Sequence, residues 1–435
     1  MQRSMDLGYI TGKALAVMRE VPLCDRCLGR LFARLGYGWT NKERGEAIKR
    51  LVIMELHRLA REDNEEAMKV LKDTAQNIGS LVEHLYNELF GSKPEYKECY
   101  ICGGLLDRFI EEVPPKAIPL LKSFDVRRFI VGVRIDERVR RAEESIKLGH
   151  MLAYGESIKA EIRREIGKRI QLHGFTTDFT DPEATVLVSF PSGEVDIQVS
   201  SLFIKGRYWK KGRMISQAYW PSPEGPRYFS VEEASWGLLK PLGGERVIVH
   251  AAGREDVDAR MLGSGRPVLI EVKAPRRRRV ELKALENEAN AAGRGLVEFR
   301  LEGFGRRRDI RYYKGDAAGS VKVYKALIAV EEGITPEDVE MLERELHGRL
   351  ISQWTPRRVL HRRANVLRRR RVLGLSCIKH SNTIIECLIK AEGGLYIKEL
   401  VSGDEGRTTP SFTELLSRRA ECVELDVVGV EVIHE

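Results

Sequence analysis

The chain has 435 residues, 43% of them hydrophobic, so it is long enough for two or three domains with apolar cores. No apolar run approaches the ~18 residues of a membrane span, and charges interrupt the N-terminal stretch too early for a signal peptide. The formal net charge of +9 favours polyanionic partners. An odd count of seven cysteines is typical of a reducing compartment. We therefore expect a cytoplasmic protein that binds nucleic acid and no membrane.

Residues 1–114 are predicted to form a helical accessory region that carries a metal. Two C-x-x-C pairs, each followed by glycine, bracket a stretch whose apolar residues recur three and four positions apart, as in amphipathic helices. Two such pairs can supply the four thiolates of a tetrahedral structural zinc site. The predicted ligands are Cys24, Cys27, Cys99 and Cys102. Reduced thiols and a redox pair are the alternatives, but a thioredoxin-like pair needs a strand-to-helix setting that neither pair clearly has.

Residues 115–235 are predicted to form an α/β module. A helical pattern in GESIKAEIRREIGKRIQLHG precedes the strand-like ATVLVSF, a turn at residues 191–193 and an alternating strand. In that strand Val195, Ile197 and Val199 share one face. The run KGRYWKK, residues 205–211, mixes cations with aromatic rings, a combination that suits RNA phosphates and unstacked bases.

Residues 236–435 form the longest segment, in which strand patterns outnumber helical ones. This balance favours a mixed, largely antiparallel central sheet flanked by helices, so the whole chain is predicted to be a multidomain α+β protein. Basic residues are densest in PRRVLHRRANVLRRRR, residues 356–371. We interpret this run as a phosphate-binding segment, with a surface ion-pair network as the alternative. Apolar strand patterns surround Cys377, Cys387 and Cys422, which are expected to be buried structural residues.

The stretch GREDVDARMLG, residues 253–263, concentrates charge directly after an apolar run. It is either a solvated turn whose charges cancel or a loop that holds a catalytic carboxylate beside a cation. The sequence contains no phosphate-binding G-x-x-x-x-G-K-[ST] loop, no H-E-x-x-H zinc helix and no dinucleotide fingerprint. Nucleotide-dependent and zinc-protease chemistry therefore lack their usual markers.

This stretch closely resembles the catalytic motif of the archaeal and eukaryotic tRNA pseudouridine synthases that modify positions 54 and 55. Residues 322–326, KVYKA, resemble the family's K-x-Y strand, and residues 394–400, GLYIKEL, resemble its G-x-Y-I-[KR] strand. PRRVLHRRA resembles the family's basic segment, CDRCLGRLF and CYICGG resemble its accessory domain, and residues 115–235 resemble its RNA-binding THUMP module. The resemblance spans nearly the whole chain and implies isomerisation of uridine in the T arm of tRNA.

The resemblance also assigns roles to acidic and basic residues of the site. It implies that Asp256 is the carboxylate that acts at the ribose, either by attack on C1′ or by removal of a ribose proton. Lys398 is the implied ion partner of Asp256, and Arg254 is the local alternative, since a nearby cation favours the ionised carboxyl. Asp258 is the rival of Asp256, because it lies only two residues away.

Two tyrosines and a basic segment complete the implied site. Tyr324 is implied to stack on the target base, and Tyr396 to contact the substrate or handle the C5 proton. The residues expected to bind RNA are Arg357, Arg358, His361, Arg362 and Arg363.

The reaction adds and removes no atoms or electrons, so we expect structural zinc but no organic cofactor. tRNA is the expected partner, and no obligate protein partner is implied. One alternative is a non-catalytic tRNA-binding protein or RNA chaperone. Another is a THUMP-bearing methylase or thiolase, which would need a methyl-donor pocket or an ATP loop that the sequence does not show.

Overall fold

The computed structural model describes residues 8–62, 64–221, 227–251, 253–314, 320–361 and 363–431. The chain divides into two compact units, Met1–Val199 and Ser200–Glu435, called here the first and second unit. Across the described ranges, none of the helices combines the length and apolar character that a bilayer span requires.

The first unit starts with six helices and continues into an α/β module. The helices are α1 (Tyr9–Glu20), α2 (Asp25–Arg30), α3 (Asn41–Arg61), α4 (Glu65–Ile78), α5 (Glu83–Phe90) and α6 (Leu106–Ser123). The module contains β1 (Arg128–Ile135), α7 (Glu137–Gly149), α8 (Ile158–Gln171), β2 (Thr176–Thr177), β3 (Ala184–Phe190) and β4 (Glu194–Val199). A single 3-10 turn, Ser80–Val82, precedes α5.

Local sequence signals explain where the long helix α3 begins and how closely it packs. Thr40 and Glu43 form a capping box that satisfies backbone donors of its first turn. Helices α2 and α3 approach each other at two glycines. A Cβ atom at Gly29 would come within 1.8 Å of the Asn41 carbonyl oxygen, and one at Gly45 equally close to that of Asp25. Only glycine fits this crossing.

The four strands of the first unit form one sheet in the order β2-β1-β3-β4. Strand β1 runs parallel to β2 and β3, whereas β3 and β4 are antiparallel. Val195, Ile197 and Val199 share the less exposed face of β4, as predicted. One apolar cluster extends from α1 to β3, so the helical region and the α/β module share a core.

A buried ion network joins α2 to helices of the α/β module. The guanidinium of Arg30, whose side chain is fully buried, contacts Glu143 at 2.8 Å and Glu161 at 2.9 Å. Arg26 reaches the second oxygen of Glu161 at 3.2 Å. Removing one partner of such a network leaves an uncompensated buried charge, so these residues hold α2 in a defined position.

In its described ranges the second unit contains the remaining helices and ten strands. The strands are β5 (Leu202–Lys210), β6 (Arg246–Ala251), β7 (Arg260–Lys273), β8 (Val297–Gly305), β9 (Val321–Val330), β10 (Leu350–Trp354), β11 (Leu367–Lys379), β12 (Ile384–Glu392), β13 (Thr408–Thr409) and β14 (Ala420–Glu431). The helices are α9 (Val231–Ser235), α10 (Leu239–Leu242), α11 (Leu282–Ala292), α12 (Ile310–Lys314), α13 (Pro336–Leu346), α14 (Ile397–Ser402) and α15 (Phe412–Leu416). Shorter 3-10 turns occupy Trp236–Leu238, Arg307–Asp309 and Arg357–Val359.

These ten strands form one sheet in the order β13-β10-β11-β12-β9-β14-β7-β5-β8, with β6 paired to β7. Only the β14–β7 pair is parallel among the strand pairs described for this sheet. A large apolar cluster lies between the sheet and helices such as α11 and α13. The predicted α+β class, with a mixed and largely antiparallel sheet, is confirmed.

The domain boundaries suggested by the sequence differ from those of the structure. Residue 114 lies inside α6, so the first suggested boundary cuts a continuous helix. The second, after residue 235, assigns β5 to the THUMP-like module. In the structure β5 pairs with β7 and β8, and the break between units falls after Val199. The reason is that strand pairing over a long sequence separation decides which sheet a strand joins.

Two of the cysteines outside the C-x-x-C pairs are joined by a disulfide. Cys377 and Cys387 lie directly opposite each other on β11 and β12, with Cα atoms 4.1 Å apart. Both are buried, as expected of structural residues, and they are bonded to each other although the odd cysteine count favoured a reducing compartment. Cys422 is a free thiol and only half-buried.

Candidate active site

A cavity of about 350 Å³ in the second unit is lined in part by the acidic loop, residues 253–259 between β6 and β7. Its lining includes Asp256 from this loop, Tyr324 from β9, Arg358 from the 3-10 turn after β10, and Tyr396 at the start of α14. Among the described residues, eight basic side chains and two carboxylates line it, so its electrostatic potential favours an anionic ligand. The basic residues are Arg254, Arg266, Lys322, Arg358, Arg363, Arg368, Arg370 and Lys398.

Asp256 is held at the cavity wall by an arginine. Its Oδ2 lies 2.9 Å from Nη2 of Arg358, and about a third of the aspartate side chain remains exposed. Nε of the same guanidinium donates to Oε1 of Glu399 at 2.6 Å. Arg358 thus bridges the acidic loop and α14, and these two carboxylates raise its pKa against the opposing effect of burial. The carboxylate of Asp256 is therefore oriented, yet accessible from the cavity.

Asp258 has a different partner. Nζ of Lys398 lies 2.5 Å from Oδ2 of Asp258. Burial raises the pKa of Asp258, but the hydrogen bond and charge of Lys398 outweigh this effect, so the pKa is lowered. The prediction that Lys398 pairs with Asp256 is wrong: the turn at Asp256, whose carbonyl accepts from the amide of Ala259, directs the two aspartates to separate cations.

A fully buried cluster of side chains contacts the acidic loop through Glu255 and the backbone of Asp256. Glu255 has 1% side-chain exposure. It forms an ion pair with Arg266 at 2.9 Å and accepts a hydrogen bond from the hydroxyl of Tyr208 at 3.2 Å. Nζ of Lys210 lies 3.7 Å from Glu255 and donates to the carbonyl of Asp256 at 2.8 Å. Burial raises the pKa of Glu255, and the two cations overcome that effect and lower it. The loop that presents Asp256 is therefore held by buried ion pairs and hydrogen bonds to side chains of β5 and β7.

The two predicted tyrosines both line the cavity. Tyr324 is 8% exposed, and burial raises its pKa to about 12, so it stays a neutral phenol. The guanidinium groups of Arg358 and Arg368 each lie 5.9 Å from the ring centroid of Tyr396. Such distances allow cation–π attraction. The hydroxyl of Tyr396 also accepts a hydrogen bond from Arg363 at 3.0 Å.

The segment around Tyr396 is not a strand, contrary to the prediction. Helix α14 begins at Ile397, and Gln353 on β10 pairs with both the amide and the carbonyl of Tyr396. In this helical turn Lys398 contacts Asp258 and the adjacent Glu399 contacts Arg358.

The predicted RNA-binding residues are distributed unequally around the cavity. Arg358 and Arg363 line it, whereas Arg357 forms an ion pair with Glu405, and His361 is exposed. Arg362 lies outside the described residues. Arg254 lines the cavity and makes no ion pair with any described residue, so its role as partner of Asp256 is not seen.

Several residues of the site were not assigned by the sequence. The partner of Asp256, Arg358, stands in the basic segment and was interpreted only as an RNA contact. Lys322 shares the cavity-facing side of β9 with Tyr324, and their two-residue spacing was the available signal. Arg368 and Arg370 also alternate on β11 and reach the cavity, where they donate to Thr355 and to the carbonyl of Gly393. The buried cluster under the loop had no sequence signal.

The four predicted metal ligands come together in the first unit. The Sγ atoms of Cys24, Cys27, Cys99 and Cys102 all lie within 4.8 Å of one another. Sγ of Cys24 is 3.7 Å from that of Cys102. Tetrahedral zinc with Zn–S bonds of ~2.3 Å requires sulfur pairs ~3.8 Å apart. This donor set can bind a metal ion, and its geometry fits zinc.

Backbone geometry positions both cysteine pairs. Cys24 caps α2, where its Sγ accepts from the amide of Cys27. The amide of Tyr100 donates to the carbonyl of Pro22 at 2.8 Å, which ties the second pair to the first. Gly103 and Gly104 follow with positive φ angles of 57° and 73°, which explains the glycines after the second pair.

Comparison with known proteins agrees with this arrangement. A family model described as "Pus10, C-terminal" matches residues 203–431, and one described as "Pus10 THUMP domain, archaeal" matches residues 115–189. The cavity in the mixed sheet and these matches define an isomerase of the pseudouridine synthase class with a THUMP domain. The chain belongs to the Pus10 family.

Relatives support this membership along nearly the whole chain. A protein of Aeropyrum pernix named tRNA pseudouridine synthase Pus10 is 57% identical over 421 residues, 96% of each chain. Its namesake from Ignisphaera aggregans is 41% identical over 95% of this chain and 97% of its own. The namesake from Methanocaldococcus jannaschii is 38% identical over 95% of this chain and 93% of its own.

Proposed function

We propose that this protein isomerises uridine to pseudouridine at position 54, position 55 or both in the T arm of tRNA. The observation that carries the proposal is the position of Asp256 in a basic cavity that it shares with Tyr324 and Tyr396. The cavity volume falls in the range of about 300–1,000 Å³ that is usual for small-ligand pockets. A target uridine would be turned out of the T loop into it.

In the proposed reaction the bond between uracil N1 and ribose C1′ breaks, the base turns, and C5 joins C1′. The carboxylate of Asp256 acts at the ribose, where positive character develops. Of the two aspartates, Asp256 lines the cavity, whereas Asp258 is not among the described lining residues and is held by Lys398. This difference supports Asp256 as the catalytic carboxylate. No organic cofactor is needed.

The arginines at the cavity are proposed to hold the phosphates that flank the target uridine. Among the described residues, no carboxylate pairs with Arg363, Arg368 or Arg370, so their charge is available to RNA. Binding through such contacts weakens with salt. The four-cysteine cluster is proposed to hold structural zinc, and the cytoplasm is proposed as the compartment of the activity.

The proposal is tested with an unmodified tRNA transcript incubated without any added cofactor, followed by mapping of pseudouridine. Transcripts with cytidine at position 54 or 55 identify the modified position. Asp256→Asn should lower the rate by about 10⁴-fold or more, because loss of the catalytic carboxylate removes most of the rate acceleration. Asp258→Asn, its matched control, should retain most activity.

Three results would contradict the proposal. Wild-type protein that makes no pseudouridine would refute the reaction. Product outside the T arm would refute the position. Loss of activity in Asp258→Asn with retention in Asp256→Asn would reverse the assignment of the carboxylate. Binding of tRNA without turnover would instead favour a non-catalytic RNA-binding protein.

A further inference from the structure

Lys322, near the start of β9, lies in the cavity wall but has no role in the site described above. Its exposure is 7%, and it lines the same cavity as Asp256. It shares this face of β9 with Tyr324, while Val323 between them lines a different cavity. Residues two apart on a strand are separated by about 7 Å, so the amine and the phenol ring can contact one uracil base.

The ammonium of Lys322 is close to the acidic loop. A Cβ atom at Gly253, three residues before Asp256, would come within 3.0 Å of Nζ of Lys322 and 3.4 Å of Nη1 of Arg266. Gly253 also has a φ of 72°, so this close approach depends on glycine. Nζ therefore lies beside the backbone of Gly253, in the loop that presents Asp256.

Lys322 differs from the other buried lysines because no described residue pairs with it. Lys210 donates to two backbone carbonyls, and Lys49 contacts Asp25 at 2.9 Å and the carbonyl of Leu23 at 2.7 Å. No side-chain hydrogen bond or ion pair joins the ammonium of Lys322 to the described part of the chain. A buried cation without a partner is costly, so a ligand in the cavity is the expected partner.

The proposed reaction supplies such a partner, because breaking the N1–C1′ bond leaves its electron pair on uracil. The negative charge spreads over N1 and the carbonyl oxygens O2 and O4. A preorganised cation at that position stabilises charge that develops only in the transition state. A phosphate is the less suitable partner, because Arg363, Arg368 and Arg370, which pair with no described carboxylate, already offer contacts to phosphate.

We propose that Lys322 is a catalytic residue whose ammonium donates a hydrogen bond to a uracil carbonyl and stabilises the uracil anion as the N1–C1′ bond breaks. The inference rests on the proposed isomerisation. The ammonium keeps its proton throughout. After C5 bonds to C1′, the hydrogen on C5 is lost and N1 gains one, so the product has the composition of the substrate.

The charge state of Lys322 adds a pH signature. Burial and the charge of Arg266 on β7 together lower its pKa to about 8, against the opposing effect of Glu255 of the acidic loop. The other titratable groups at the cavity are Asp256, Tyr324, Tyr396, Lys398 and the arginines already named. Since the protonated amine is the active form, the rate should fall as pH rises through about 8.

The test measures single-turnover rates at saturating enzyme on the unmodified transcript, with tRNA Kd measured separately. Lys322→Met should slow pseudouridine formation by about 100-fold or more, with Kd changed by less than about threefold. Lys325→Met is the matched control, because Lys325 is exposed on the same strand and pairs with Glu386 at 2.9 Å. Lys322→Arg should retain activity above pH 8, where the wild-type rate has fallen.

The inference is overturned if Lys322→Met reacts as fast as Lys325→Met, or if it weakens tRNA binding without slowing the bound reaction. Thermal melting shows whether Lys322→Met is folded. If it is not, the pH profiles decide: a wild-type rate that stays flat through pH 8, or one that falls in parallel with that of Lys322→Arg, overturns the inference. Absence of any wild-type product would instead refute the proposed function.

Discussion

At the residue scale, the acidic loop separates two aspartates that the sequence leaves nearly equivalent. Asp256 and Asp258 are two positions apart, and each has a cation within 3 Å, yet only Asp256 lines the cavity. The arginine at Asp256 does more than neutralise charge. Because it also contacts the buried Glu399, it fixes the carboxylate against α14. We therefore infer that Arg358 orients the carboxylate of Asp256.

Replacing Arg358 by Met should slow pseudouridine formation by about 100-fold, because small displacements of a reacting group are expensive. The neighbouring Arg357 pairs with the exposed Glu405, so Arg357→Met should have little effect on the reaction of bound tRNA. Arg358→Lys should restore activity only in part, since a single ammonium cannot reproduce the two-sided contact. Single-turnover rates compare the three variants, and equal rates for the Arg358 and Arg357 variants would exclude the positioning role.

At the scale of elements, strands β5 and β7 carry the loop through buried charge. Tyr208 and Lys210 alternate on β5 toward Glu255, while Arg266 reaches it from β7. The low pKa of Glu255 in the folded protein means that this carboxylate stabilises the fold above its unfolded pKa. That contribution is lost as pH falls through the folded pKa.

Glu255→Ala should lower the free energy of unfolding by about 3–5 kcal/mol at pH 7, because it leaves buried cations without a partner. Glu298→Ala, which removes an exposed ion pair with Lys211, should cost less than about 1 kcal/mol. Denaturant unfolding measures both. The difference between wild type and Glu255→Gln should also shrink in acid, below the usual glutamate pKa of about 4.3. A difference that grows in acid would contradict the assigned charge state.

At the scale of the whole molecule, each of the two units has an apolar core of its own. The second unit has a wide sheet with a large apolar core. The first unit has its own core and adds a four-cysteine cluster beside the buried network of Arg30, Glu143 and Glu161. A metal at this cluster would link the segments on either side of α3, α4 and α5.

Purified protein should contain about one zinc ion per chain, bound by the four thiolates. Cys102→Ser should lose the metal and lower the melting temperature of the first unit, because metal binding is coupled to folding. Cys422→Ser, which changes a thiol outside the cluster, should keep both. Elemental analysis and calorimetry measure the two quantities. A folded wild-type protein without zinc would refute the metal site.

Sequence alone was enough to predict the α+β class, the alternation on β4 and the four clustered cysteines. These depend on local periodicity, on two-residue spacing and on motif resemblance, which neighbouring residues carry. Tertiary structure alone decided the pairings that join distant segments. Strand β5 joined the second sheet through β7 and β8, Cys377 met Cys387, and Arg358 rather than Lys398 took Asp256. Each of these pairings depends on long-range packing. At Asp256 several cations are near one carboxylate, and the tertiary geometry selects Arg358 as the partner.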